Sequence, residues 1–564
     1  MLNSYKQKFA KLLANLDINL PEQDIVDAIE IVPDNIEGDL WFPCFKLSKE
    51  LKKSPNQIAQ DFVSQIDDSQ VIVVWPYVNY LLSSQDLSQD LIKQINIDKD
   101  NFGKLEKKKQ EIILEWRQPN THKAFHIWHL RNALVSNWVA SCLERAGYDV
   151  HRVAYPWDIW AHVAKRIWYY INFYQGETPE NNFGERAGTL YSDATKKVEE
   201  DKDTYKIQIE ELQKSLEDGD EKLNEIRKDT RQKCLVDMEN IFEELWCDIQ
   251  KRYYESQVEK PGIEKVKEMK QNWIAIDGER WSLIIDLEEY KLWIFLLLKS
   301  TWASLYSTKD IGLAYLKKQD FPKYNQSLYV VWSEQIHHFN QLFKTLELIW
   351  FPHDALHHIA YGLVDLKDAK MSSRDGNVIL YTQLRDQLLE EAHKMIQDRN
   401  ILQEQKDIVA RQVAFAAMKF DMLLPDASKK ILFDPNEALS FEGETWPYIQ
   451  YTHARCCSLL KKSEFNLESE ISNLDYSKLS ENYEKNLLMH LAQFGDHISK
   501  AAEEYRPNYV TRYLLELAKL FNSYYNNTDK KIVENKSSLA LVACVKQVIS
   551  NGLLILGIES PEEM

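Results

Sequence analysis

Two histidines, His126 and His129, stand three residues apart in the run EIILEWRQPNTHKAFHIWHLRNALV at 111–135. Upstream, a short apolar run, Ile112 to Leu114, ends on a carboxylate, Glu115, and a polar turn with Pro119 and Asn120 follows. The residues after the turn are patterned as an amphipathic helix. Strand, loop and helix start is the order that aims backbone N–H groups and a positive dipole end at an anion. Imidazoles at i and i+3 share a helix face and can donate to one phosphate group. Taken alone, the stretch is explained more simply as a surface helix carrying two histidines.

A second stretch changes that balance. Lys370-Met371-Ser372-Ser373-Arg374-Asp375-Gly376-Asn377 places a lysine, two hydroxyls and a glycine-containing turn after an apolar segment. Such a loop can close over a polyphosphate and neutralise developing charge; a solvated basic turn would look the same.

Three regions must position these groups. Residues 1–105 mix helical periodicity (Phe9, Leu12, Leu13, Leu16) with a strand-like run, VIVVWPYVNYLLSS, and Ser54-Pro55 marks a helix start. Residues 106–385 alternate apolar strand-like runs with helical patterns, which predicts an open parallel sheet with helices on both faces. Ligands on such a sheet sit beyond the carboxyl ends of its strands, where Glu115 falls. Within this region, 195–240 is a highly charged tract without a sustained heptad seam, read as a solvent-facing helical insertion. From 386 to 564 helical periodicity dominates and predicts an α-bundle. The fold class is therefore α/β, with an α+β unit ahead of the parallel-sheet domain and a helical bundle after it.

Composition narrows the class. The 564 residues need several domains. The 7 cysteines include no C-x-x-C pair or zinc spacing, which suggests a reduced, metal-free, cytoplasmic protein. No apolar run is read as reaching membrane length, and the amphipathic start lacks a signal-peptide core. A net charge of −18 argues mildly against nucleic-acid binding, but a whole-chain sum cannot see a local basic surface.

The histidine pair and the Lys370 loop together resemble the HIGH and KMSK motifs of class I aminoacyl-tRNA synthetases. Four further matches, in order, narrow the resemblance to the arginyl-tRNA synthetase family. They are E-x-x-x-PN-x-x-K-x-x-H-x-x-HLRNAL from Glu115, LYSTKDIGLAYL at 305–316, SEQIHHFNQLFKTLEL at 333–348, and ALSFEGETWPYIQYTHAR at 438–455. The resemblance runs over nearly the whole chain.

It implies an arginine–tRNA ligase that activates L-arginine with ATP and Mg²⁺ and esterifies it to the 3′ end of tRNA(Arg). It also implies a monomer, with an N-terminal domain that contacts tRNA and a C-terminal domain that binds the anticodon. By resemblance, His126, His129, Lys370 and Ser373 are catalytic, and Lys123, Gly362 and Met371 join the two histidines and Lys370 in the ATP set. Glu115, Asn120, Tyr306, Asp310 and Gln335 match the arginine pocket, Asp310 being the natural partner of the guanidinium. Tyr448, Tyr451 and Arg455 present aromatics and a cation to unpaired bases.

One departure runs through the chain. Trp128 stands before the second histidine, where the family has glycine. Trp75, Trp157, Trp160, Trp293, Trp302, Trp332, Trp350 and Trp446 likewise stand where the family leads one to expect glycine. The chain has 16 Trp and only 16 Gly, against a usual glycine share of about 7%. Two readings are open here. The chain is an inactive paralogue that binds tRNA without aminoacylation, or its gene uses UGA for glycine and was translated with UGA as tryptophan.

Overall fold

A computed structural model describes the chain apart from residues 1, 17, 19, 34–35, 117, 120, 122–123, 159–160, 175–182, 350, 368–378, 399–401, 439–445 and 564. The N-terminal unit is a four-stranded antiparallel sheet in the order Glu30–Ile31, Leu40–Pro43, Tyr77–Tyr80, Val71–Val74. The run expected as one strand is therefore a hairpin turning at Trp75-Pro76, because Pro76 has no N–H for a sheet ladder. Helix Leu2–Ala14 covers the sheet, stacking Phe9 on Tyr80 at 5.1 Å. Helix Pro55–Gln65 starts at Ser54, whose hydroxyl accepts from Gln57 N–H at 3.3 Å while Gln57 Oε1 accepts from Ser54 N–H.

The catalytic-type domain is built on a five-stranded parallel sheet, in the order Leu356–Tyr361, Gln326–Trp332, Glu111–Trp116, Asp149–Ala154, Lys251–Arg252. Its central strand is apolar on both faces, as a doubly covered parallel strand must be. Helix Ile127–Arg145 follows that strand and is buried along most of its length. Helix Tyr306–Asp320 precedes the neighbouring strand. The charged insertion is three helices, Phe183–Glu200, Lys202–Glu217 and Glu221–Glu244. A small antiparallel sheet, Ile276–Asp277, Leu283–Asp286 and Ile294–Leu298, precedes helix Tyr306–Asp320.

The C-terminal part is a bundle that includes Gln403–Leu423, Trp446–Lys462, Asn508–Ile532 and Lys536–Ile555. The expectation that no apolar run reaches membrane length is corrected here. Helix Lys536–Ile555 is long and apolar enough by composition, and 72% of its apolar window is buried inside the protein, as a core helix of the bundle. The bundle is tied to the sheet domain by Trp138, whose indole N–H donates to the Leu556 carbonyl at 2.6 Å.

Candidate active site

His126 is the N-cap of helix Ile127–Arg145 and lies just beyond the carboxyl end of the central strand. Its backbone N–H donates to His129 Nδ1 at 3.3 Å, and the two imidazoles stack at 3.7 Å. The histidines therefore act as one unit at the positive end of the helix. They line a cavity of about 240 Å³ together with Gln118, Asn132, Gln335 and Tyr361. Asn132 is oriented by donating to the Val330 carbonyl at 2.8 Å.

Three indoles share that wall: Trp128, Trp157 and Trp332. Trp128 donates to the Val364 carbonyl at 2.7 Å, and its ring lies 6.5 Å from that of Trp332. Trp157 is fixed by backbone bonds in both directions: its N–H donates to Pro119 O at 3.3 Å, and its carbonyl accepts from Thr121 N–H at 3.2 Å.

Behind the cavity lies a group of acids, each with a cationic or ionisable partner. Glu115, 2% exposed, pairs with Lys317 at 2.7 Å and accepts from Gln118 Nε2 at 3.0 Å. Burial pushes the Glu115 carboxyl up, against the pull of Lys317. For Lys317 burial acts downward, but Glu115 and Tyr329 together outweigh it and hold the ammonium above its ordinary range. Asp158 is wholly buried between Arg227 at 2.8 Å and Arg231 at 2.6 Å, and accepts from Ser256 N–H at 3.0 Å. Glu255 pairs with Lys309 at 2.8 Å. Asp310 differs, because its partner is His338 Nε2 at 2.7 Å, a group charged only when protonated. Burial, together with Asp310, Glu255, Glu115 and Asp158, holds the Tyr155 hydroxyl well above its ordinary range. Tyr306 is raised likewise, by burial and then by Glu255 and Asp310.

The expected residues are thus distributed over two layers. His126, His129 and Gln335 line the cavity. Tyr306 and Asp310 sit one layer away, Tyr306 meeting the Trp157 ring at 5.3 Å. Two of the expected residues have close neighbours of their own. Glu115 is paired with Lys317 and is linked to the cavity through Gln118. Gly362 is buried against the backbone of Lys429, which a Cβ there would meet at 2.3 Å. Asn120, Lys123, Lys370, Met371 and Ser373 lie outside the described residues. Described residues on either side of 368–378 meet the helix that carries the histidines. Val364, before that stretch, accepts from Trp128, and Ile379, after it, accepts from Ile127 N–H at 3.1 Å.

Gln118, Lys317 and His338 were missed by the sequence reading. His338 lies inside the matched string at 333–348 and was the one with a signal. On the bundle, Arg455 sits between the rings of Tyr451 and Tyr525, 4.7 Å from each, while Tyr448 is half-buried against the core.

A parallel sheet with paired histidines at the helix N-terminus after its central strand defines the catalytic domain of a class I aminoacyl-tRNA synthetase. Residues 91–434 match the family described as tRNA synthetases class I (R), catalytic domain. Residues 3–82 match the arginyl tRNA synthetase N terminal domain, and 449–564 the DALR anticodon binding domain. The arginine--tRNA ligase of Clostridioides difficile (strain 630) is 31% identical over 100% of both chains. That of Bdellovibrio bacteriovorus is 32% identical over 97% of this chain and 96% of its own. The Thermus thermophilus arginyl-tRNA synthetase structure superposes with a TM-score of 0.83 at 24% identity, covering 100% of each chain. The chain belongs to the arginyl-tRNA synthetase family.

Proposed function

We propose that the chain is an arginine–tRNA ligase, forming arginyl-adenylate from L-arginine and ATP and then esterifying tRNA(Arg). The observation that carries this reading is the adjacency of two layers: an anion-facing histidine pair and, behind it, an acid whose partner is not a fixed cation. In adenylate formation the arginine carboxylate attacks the α-phosphorus and pyrophosphate leaves. No covalent nucleophile from the protein is needed; positioning and stabilisation of charge suffice. His126 and His129 donate to the phosphoryl oxygens, with Lys123 approaching the α-phosphate. Lys370 and Ser373 act on the departing pyrophosphate. Mg²⁺ arrives with the triphosphate.

Arginine selection follows from the acid layer. Glu115, Asp158 and Glu255 are each matched by a lysine or arginine, so their charge is already spent. Asp310 can surrender His338, in its neutral form, to a guanidinium, which offers a fork of donors that a carboxylate matches. Tyr306, one turn earlier on the same helical face, and Gln335 complete the polar contacts. Arg455 and the tyrosines beside it form a stacking surface for the anticodon. The location that suits this role is the cytoplasm.

The histidine donors suit a triphosphate, whereas the indoles narrow the cavity beside them. About 240 Å³ lined by three indoles is below the roughly 300–1,000 Å³ usual for drug-sized ligands. The test is ATP–pyrophosphate exchange with arginine and tRNA present, on the chain with glycine at 128, 157 and 332. Exchange dependent on arginine is expected. Exchange with another amino acid, or tRNA binding with no exchange, would overturn the assignment.

A further inference from the structure

Eleven described residues other than glycine have φ between 47° and 67°, and five of them are tryptophan: Trp246 (61°), Trp273 (61°), Trp281 (67°), Trp293 (61°) and Trp302 (63°). Tryptophan makes up only 16 of the 564 residues, and a bulky side chain in the left-handed region is an outlier. What recruits these residues to that conformation is therefore not their own preference.

The hydrogen bonds around them say what the positions want. Trp246 N–H donates to Glu243 O at 3.0 Å and Cys247 N–H to Phe242 O at 2.8 Å. Trp273 N–H donates to Lys270 O at 3.2 Å and Ile274 N–H to Met269 O at 3.0 Å. Both are the paired bonds that close a helix over a left-handed residue, usually glycine. The same protein ends three other helices this way with glycine in that place: Gly147, Gly219 and Gly557, at φ 90°, 92° and 63°. Glu464 and Tyr505 take the place too, so other residues are tolerated at a cost; the anomaly is the concentration of one type.

Trp281 follows Arg280 (φ 53°) in a turn closed by Ser282 N–H to Glu279 O at 3.1 Å, with both central residues left-handed. That turn favours glycine at its second central position. Trp302 follows a turn in which its N–H donates to Lys299 O at 2.8 Å and Lys299 N–H donates to Ala303 O at 3.1 Å. This is the hairpin bulge whose left-handed residue is ordinarily glycine.

Packing offers these side chains little in return: Trp246 and Trp302 are about half exposed, with a lysine over each ring at 5.2 and 5.7 Å, and Trp293 meets His337 at 6.4 Å. Trp273, Trp281 and Trp293 are 88%, 80% and 74% exposed. Trp138 and Trp168 are the opposite case: both are 1% exposed inside helices, and their indoles donate to Leu556 O at 2.6 Å and Gln208 Oε1 at 2.9 Å. These tryptophans thus form two populations, one built into the fold and one standing where the backbone favours glycine.

We infer that positions 128, 246, 273, 281, 293 and 302 are glycine in the working enzyme, because they are encoded by UGA and the source cell reads UGA as glycine. Trp138 and Trp168 are encoded by UGG. One codon accounts for a one-directional replacement at unconnected turns, and position 128 is included because its indole narrows the cleft. The five turn positions carry the inference without reference to catalysis, so it and the proposed function can fail separately.

The coding DNA gives the first test: UGA is expected at the six positions and UGG at 138 and 168. UGG at the five turn positions would overturn the inference. Peptide mass spectrometry of the enzyme purified from its source gives the second, with glycine expected at 273 and 281; tryptophan there would end the idea. The third compares the printed chain with a variant carrying glycine at the five turn positions. A melting-temperature rise of roughly 5–10 °C is expected, against a fall for Trp138→Gly. No rise in the five-position variant would contradict the geometry.

Discussion

The two layers of the cleft differ in kind. In the acid layer every charge has a partner at hydrogen-bond distance: Glu115 with Lys317, Asp158 with Arg227 and Arg231, Glu255 with Lys309, Asp310 with His338. In the histidine layer the donors are in place, but indoles at 128, 157 and 332 stand in the space they serve. A protein that had lost its function would be expected to decay in both layers. Here one layer is complete and the other is altered by a single residue type, so the alteration is better assigned to how the chain is decoded than to loss of selection.

The comparison can be broken or sharpened in four ways. The largest effect is expected from Lys317→Ala, which leaves Glu115 buried without its cation and should cost about 3–5 kcal/mol of stability. Denaturant unfolding measures it, and the double change Glu115→Gln, Lys317→Met should recover most of the loss. If Lys317→Ala is near neutral, the acid layer is not organised as described.

Next comes Asp310→Asn in the glycine-restored enzyme. It removes the charge proposed to meet the guanidinium and should lower kcat/KM for arginine by about 2–4 kcal/mol of transition-state binding, with stability nearly unchanged. Equal losses for arginine and for ATP would mean that Asp310 acts on the whole cleft.

A third change acts on the other layer. Trp128→Gly with Trp332→Gly should tighten nucleotide binding by at least tenfold, about 1.4 kcal/mol, measured by calorimetric titration of ATP. Unchanged affinity would show that the indoles are not what limits the site.

The smallest effect is expected far from the cleft. Tyr451→Ala removes one of the two rings flanking Arg455 and should weaken tRNA binding by about 1 kcal/mol. Amino-acid-dependent exchange at saturating tRNA should stay the same. A filter-binding or fluorescence titration reads this change.

The histidine pair, the helix it caps and the strand that ends at Glu115 were legible because they are local. A strand period, a turn and a helix start occupy adjacent residues, and each has its own signature. The Ser54 cap was legible for the same reason. The Glu115–Lys317 pair was not, because 202 residues separate its members and only the parallel register of the central strands brings them together. The close approach of Gly362 to the Lys429 backbone was not legible either, because the two lie 67 residues apart in sequence. The apolar length of helix Lys536–Ile555 was missed because Lys546-Gln547 and Ser550-Asn551 break it into short apolar runs, although its mean composition is apolar.

The amino-acid order by itself determined the family and the three-part organisation, since these rest on short-range patterns and residue types. Tertiary structure alone decided which acids are paired with a lysine or arginine and which with a histidine, because that depends on which cations packing brings within 3 Å. It also decided which tryptophans belong to the fold. A side chain's identity is written in the sequence, but the sign of the φ it must adopt is set by the turns that close the chain on itself.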